Sequence, residues 1–171
     1  MRLIRSIDEI RTEIEKVCKL EGDFTLRSGQ KSTYYFDKYL FESDTNLLYQ
    51  ICWQLKYNIS DDFDYISGLE MGGIPIATML GFVMNKPVLF VRKKAKDYGT
   101  KKLAEGPDFD GKRICIIEDV ITSGGQVIES ANELKGLGAE ITQIVCVILR
   151  DEKGKKKLEK AGYSLYNLFK F

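Results

Sequence analysis

The segment ITQIVCVIL, Ile141 to Leu149, is apolar at nearly every position. A strand with one face in water alternates apolar and polar side chains, so an unbroken run marks a strand covered on both faces, the situation of a parallel sheet between helical layers. Shorter apolar runs precede it: DYISG, PVLFV and RICII (Arg113 to Ile117). Between them lie helical patterns. IPIATMLGFVMN carries Pro75 near its first turn, and QVIESANELKGLG turns Val127, Ile128, Ala131, Leu134 and Leu137 inward before ending on glycine. Strand, helix and strand in repetition predict an α/β fold with a central, mostly parallel sheet flanked by helices.

The N-terminal part has a different rhythm. Ser6 and Glu9 form a capping-box pattern, and Ile7, Ile10, Ile14, Val17 and Leu20 share one helical face up to Gly22. The stretch FTLRSGQKSTYYFDKYLF, Phe24 to Phe41, alternates in its first half around a Ser-Gly turn signal, which suits a hairpin or an irregular aromatic arm. A helix from about Asp44 to Tyr57 follows, with Leu47, Leu48, Ile51, Cys52 and Leu55 inward. No repeat or low-complexity linker divides the 171 residues, and one domain spanning 1–171 is expected.

Composition removes several chemistries. The chain has no histidine, so it cannot run a Ser-His-Asp relay or use a histidine-ligated zinc. Cys18, Cys52, Cys115 and Cys146 are too scattered for a metal site and read as buried reduced thiols, which favours a cytoplasmic setting. A net charge of +1 gives no global pull toward nucleic acid or anionic membrane, and no run reaches membrane-spanning length. Any reaction must rely on carboxylates, lysines, arginines, tyrosines, backbone dipoles and a hard cation.

Ligands of open parallel sheets bind beyond the carboxyl ends of the strands, where loops enter helix N-termini. Two such loops are rich in glycine: GLEMGGIP, containing Glu70, Gly72 and Gly73, and EDVITSGGQ, containing Val120, Ile121, Thr122, Ser123, Gly124, Gly125 and Gln126. Glycine lets backbone N–H groups approach an anion, and the helix dipole favours a phosphate there. Glu118 and Asp119 stand at the carboxyl edge of RICII, one on each face of the pleat. Carboxylates oppose a phosphate; they suit sugar hydroxyls, or a magnesium ion between themselves and the phosphate, or the cap of the next helix. Between Arg92 and Glu105 six basic residues face two acids, on a segment that reads as too polar for the core and long enough for a mobile lid over residues 92–107. The same charges, with Tyr34, Tyr35 and Phe36, could instead engage RNA. Neither the P-loop nor the dinucleotide fingerprint is present.

Taken together, IIEDVITSGGQ resembles the phosphoribosyl pyrophosphate (PRPP) signature of type I phosphoribosyltransferases. FTLRSGQKSTYYFD, VRKKAKDYG...AEG and LRDEKG narrow the resemblance to the orotate phosphoribosyltransferase family, from about Phe24 to Gly154. It implies that fold, with a small N-terminal hood over residues 1–42, and transfer of the phosphoribosyl group from PRPP to orotate. By that resemblance Glu118 and Asp119 hold the ribose hydroxyls and Val120 to Gln126 bind the 5-phosphate. Arg92, Lys93, Lys96 and Tyr98 grip pyrophosphate from a lid shared across a homodimer, with Lys96, Glu118 and Asp119 nearest the chemistry. Arg27 and the Glu70–Gly73 loop face the pyrophosphate. Thr122, Arg150, Tyr35 and Phe36 receive orotate, and Mg2+ arrives on PRPP with no fixed protein ligands. The chain departs from the pattern at Tyr98, where the family commonly has histidine, and at Gly72, where it has lysine. A transferase for a purine or another base, and a non-catalytic RNA-binding regulator on the same scaffold, are the rival expectations; the acid pair disfavours RNA, and neither nucleic acid nor membrane is an expected partner.

Overall fold

The structure, a computed structural model, describes residues 3–25, 29, 31–94 and 103–171. In chain order it runs α1 (Ile7–Cys18), β1 (Lys19–Thr25), β2 (Lys31–Phe36), α2 (Tyr39–Ser43), α3 (Thr45–Asn58), β3 (Tyr65–Leu69) and α4 (Gly73–Met84). Then come β4 (Val88–Val91), β5 (Ala104–Glu105), β6 (Arg113–Ile121), α5 (Gly125–Gly136), β7 (Glu140–Leu149), α6 (Glu152–Lys160) and β8 (Leu165–Lys170).

Six strands form the main sheet in the order β5-β4-β3-β6-β7-β8, all pairings parallel except that of β5 with β4. The unbroken apolar runs are explained by helices on both faces. On β6, Cys115 and Ile117 join the core with α1, α3 and α4, while Ile114 and Ile116 join the core with α5 and α6. On β7, Val145 and Val147 go to the first core, and Ile144 and Cys146 to the second. Alternate side chains of a strand leave on opposite faces, so both sets must be apolar. All four cysteines are free and buried, consistent with small hydrophobes. Among the described residues no helix is long and apolar enough to cross a membrane.

The first helix is set by the expected device: Ser6 and Glu9 satisfy each other's backbone N–H groups. It stops earlier than its periodicity suggests. Leu20 lies in β1, paired with Tyr35 of β2, because pairing with the second hairpin strand outweighs one further helical turn. The hairpin is antiparallel with a bulge between Glu21 and Phe24. Leu137 is half exposed, since α5 ends at Gly136 and the chain turns away there.

Two further differences bear on the site. The distal end of the basic segment is not too polar to pack: Leu103 and Ala104 are buried, and Ala104–Glu105 pairs with β4 as an edge strand. The acid pair does not terminate its strand either. β6 continues to Ile121 because Val120 and Ile121 find partners in Ile148 and Leu149 of the longer β7.

Candidate active site

The carboxyl ends of β3, β4 and β6 converge on a cleft of about 110 Å³ whose lining includes Glu118, Glu70, Arg92, Lys93 and Gln126. Four loops of the sequence thus meet in one place. Glu118 is half-buried and faces this cleft, whereas Asp119, on the other side of the pleat, is fully buried. The Lys38 ammonium forms an ion pair with Asp119 Oδ2, and the N–H of Val120 donates to Asp119 Oδ1. Glu42 of α2, also buried, adds a third carboxyl behind Asp119. Burial first, then the charge of Asp119, holds the Glu118 carboxyl well above the usual carboxylate range. Burial and then the contact with Asp119 push Glu42 up to about 9. For Lys38, burial opposes the charge, but the Asp119 contacts outweigh it and its pKa is raised.

The glycines of the β3–α4 turn have a packing role. A Cβ on Gly72 would stand 1.6 Å from Asp119 Oδ2, and one on Gly73 would stand 2.4 Å from the Ile117 carbonyl oxygen. Neither residue has positive φ; what the turn requires is close approach to β6. Glu70 fixes the opposite wall, accepting a hydrogen bond from the Lys93 N–H at 3.1 Å. Arg92 pairs with Glu105 at 3.5 Å, which ties the start of the basic segment to its described end. Lys96, Tyr98 and Arg27 lie outside the described residues.

The second glycine loop runs from β6 into α5. Thr122 and Ser123 are exposed, Gly124 adopts φ 70° at the helix cap, and Gly125 opens α5. The first N–H groups of a helix have no partner within it, so Gly125, Gln126 and Val127 present donors at its positive end. Helix α6 braces the loop. A Cβ on Gly154 would lie 2.2 Å from the Thr122 carbonyl oxygen, and Lys157 Nζ comes within 3.3 Å of where a Gly125 Cβ would stand.

Arg150 follows β7, held by its N–H donating to the Ile121 carbonyl at 2.9 Å, and its guanidinium sits 5.6 Å from the centroid of the Phe36 ring. Phe36 packs in turn on Phe171. Tyr35, its neighbour on β2, packs against Phe24 instead, with ring centroids 5.6 Å apart and the rings tilted by 34°. Sequence reasoning therefore paired two aromatics of which the structure brings one to Arg150. It also missed Lys38, Glu42, Lys157 and Phe171. None of the four carries a local signal; Lys38 lies within the aromatic arm itself.

A mostly parallel sheet with a glycine loop directly after an acid pair is the arrangement expected of a phosphoribosyltransferase, and the phosphoribosyl transferase domain family matches residues 43–167. An orotate phosphoribosyltransferase of a Nocardioides species is 50% identical over 153 residues, covering 90% of this chain and 86% of the relative. That of Pyrococcus furiosus is 40% identical over 162 residues, covering 93% and 89%. The crystal structure of Mycobacterium tuberculosis orotate phosphoribosyltransferase in complex with Fe(III) dicitrate superimposes with a TM-score of 0.84 at 24% identity, covering 96% of each chain. The chain belongs to the orotate phosphoribosyltransferase family, and its fold is that of the type I phosphoribosyltransferases.

Proposed function

We propose that this protein transfers the 5-phosphoribosyl group of PRPP to orotate, giving orotidine 5′-monophosphate and pyrophosphate in pyrimidine biosynthesis. The observation that carries this reading is the placement of Glu118 and Asp119 immediately before the Thr122–Gln126 loop at the start of α5. The family of the chain and its relatives' names support the same activity.

Displacing pyrophosphate from C1 of the ribose develops positive charge on the sugar and negative charge on the leaving group. Such a reaction needs positioning and electrostatics and no protein nucleophile, which suits a chain without histidine. Glu118 and Asp119 accept hydrogen bonds from the ribose hydroxyls, and the backbone N–H groups with Thr122 and Ser123 hold the 5-phosphate. By the resemblance Arg92, Lys93, Lys96, Tyr98 and Arg27 are assigned to binding the pyrophosphate, of which Lys96, Tyr98 and Arg27 lie outside the described residues. Arg150 pairs with the orotate carboxylate while Phe36 supports the guanidinium from below.

Magnesium would be carried by the pyrophosphate of PRPP, with the Asp119 corner as its neighbour on the protein. Among the described residues no group of three or more acids and cysteines is arranged to hold a metal, while Asp119 Oδ2 is a buried hard oxygen with no hydrogen-bond partner besides its ion pair. That donor set suits an ion bound mainly by the substrate's own oxygens. When bound, the ion neutralises the departing pyrophosphate.

The working unit we propose is a homodimer of single-domain chains in the cytoplasm, with lid residues shared between sites. A groove of about 890 Å³ between α3 and α4, with Pro75, Met79 and the 79% exposed Phe82 on its wall, offers an apolar face for a second copy.

The test of the activity is direct. Purified protein mixed with orotate, PRPP and magnesium should consume orotate, followed by ultraviolet absorbance, with stoichiometric release of pyrophosphate. No consumption over a range of pH and magnesium would refute the orotate assignment.

A further inference from the structure

By the family resemblance a lysine is expected where Gly72 stands, and the Gly68–Pro75 loop contains no lysine or arginine. The structure shows why a side chain is not accommodated: the Asp119 carboxylate occupies the space a Gly72 Cβ would need, with Oδ2 1.6 Å from it, and Glu42 Oε1 is 2.9 Å away. The same corner already holds a cation from elsewhere. Lys38, in the short segment between β2 and α2, reaches across to pair with Asp119 Oδ2, and it lines the cleft together with Glu70, Arg92, Lys93 and Glu118.

We propose that Lys38 is a substrate-binding residue of this enzyme, supplying to the pyrophosphate of the donor the positive charge that Gly72 leaves out while keeping Asp119 placed for the ribose. The inference rests on the donor-binding reading given above. An ammonium carries three N–H donors, so engaging Asp119 with one leaves two for a neighbouring anion. Lys38 is about a third exposed, deep enough to be fixed by its partner and open enough to meet a ligand in the cleft. Its surroundings also need it: Asp119 is fully buried with the Glu42 carboxyl behind it, and Lys38 is held against Asp119 by an ion pair. A donor carrying several negative charges could not approach that corner without a countercharge.

The experiment compares wild type, Lys38→Met, Lys38→Arg and Asp119→Asn by steady-state kinetics and by the affinity for inorganic pyrophosphate in the presence of magnesium. Lys38→Met is expected to raise the KM for PRPP by about 10–100-fold, the range for losing a charge-assisted contact, with the KM for orotate changed by less than about threefold. Lys38→Arg should recover most of the loss. Pyrophosphate affinity separates binding from mere support of Asp119: it should fall about tenfold in Lys38→Met and stay near wild type in Asp119→Asn. Wild-type pyrophosphate affinity in a folded Lys38→Met protein overturns the proposal. If that variant does not fold, a wild-type crystal with magnesium pyrophosphate decides, since Lys38 Nζ farther than about 3.5 Å from every pyrophosphate oxygen also overturns it. A wild-type enzyme inactive on orotate would defeat the functional reading instead, and the pyrophosphate measurement would still report on Lys38.

Discussion

The Arg150 guanidinium lies over the ring of Phe36, 5.6 Å from its centroid, joining the end of β7 to the end of the hairpin strand β2. An arginine so supported is fixed in plane and can present its fork to a carboxylate. Arg150→Ala should therefore raise the KM for orotate and lower kcat/KM by about 10–100-fold, the equivalent of losing one hydrogen bond to a charged group. The KM for PRPP should barely change. Full activity on orotate in this variant would favour a base without a carboxylate.

Asp119→Asn and Glu118→Gln keep shape and replace one acceptor oxygen with an N–H donor. If the two acids hold the ribose hydroxyls, each change should lower kcat/KM for PRPP by about 10–100-fold while leaving orotate affinity within a few fold. Isothermal titration with PRPP and magnesium checks this without relying on turnover. Unchanged PRPP binding in both variants would remove the acids from the donor site.

Gly154→Ala tests the brace behind the phosphate loop. The added methyl would meet the Thr122 carbonyl oxygen at 2.2 Å, a backbone atom that cannot rotate away, so α6 or the loop must shift. A loss of about 1–3 kcal/mol in stability is expected, together with a higher KM for PRPP. Thermal unfolding and kinetics on the same preparation would show both effects, and an unaltered PRPP KM would mean that the loop is positioned without α6.

Glu42 gives a pH signature. Its carboxyl titrates at about 9 in the folded protein against an ordinary value of 4.5, raised by burial and by contact with Asp119. Between those values the folded state keeps a proton that the unfolded chain has lost, so this contribution to stability is full below about pH 4.5 and lost as pH rises through 9. Glu42→Gln removes the titration and offers Asp119 an N–H donor in place of the carboxyl O–H. It should raise the unfolding midpoint at pH 8 by about 2–4 °C, the shift for roughly 1 kcal/mol in a chain of this size, and flatten its fall with pH. A variant that is less stable than wild type at pH 8 would mean that Glu42 is ionised in the native state.

What was legible in the sequence follows the range of the forces involved. Ile141 to Leu149 read as a strand covered on both faces because burial on two faces demands apolar residues at nearly every position. The Thr122–Gln126 loop read as a phosphate site because the glycines, hydroxyls and helix start are contiguous. Leu20 was misread because its apolar side chain fits the period of α1 as well as that of β1, and only the distant pairing with Tyr35 decides. The segment after Gly154 went unassigned as structure: α6 carries five lysines and two glutamates around Leu158, and its role emerges only from the docking of Gly154 on Thr122. Lys38 was invisible for the same reason. Nothing local in DKYLF reveals that its charge is destined for an aspartate eighty-one positions later.

The proposed transfer depends on where the donor sits, and a crystal structure with PRPP and magnesium measures that directly. The ribose hydroxyls should lie within hydrogen-bond distance of Glu118 and Asp119, and the 5-phosphate should rest on the N–H groups between Thr122 and Gln126. Ordered PRPP bound elsewhere, with this pocket empty, would contradict it.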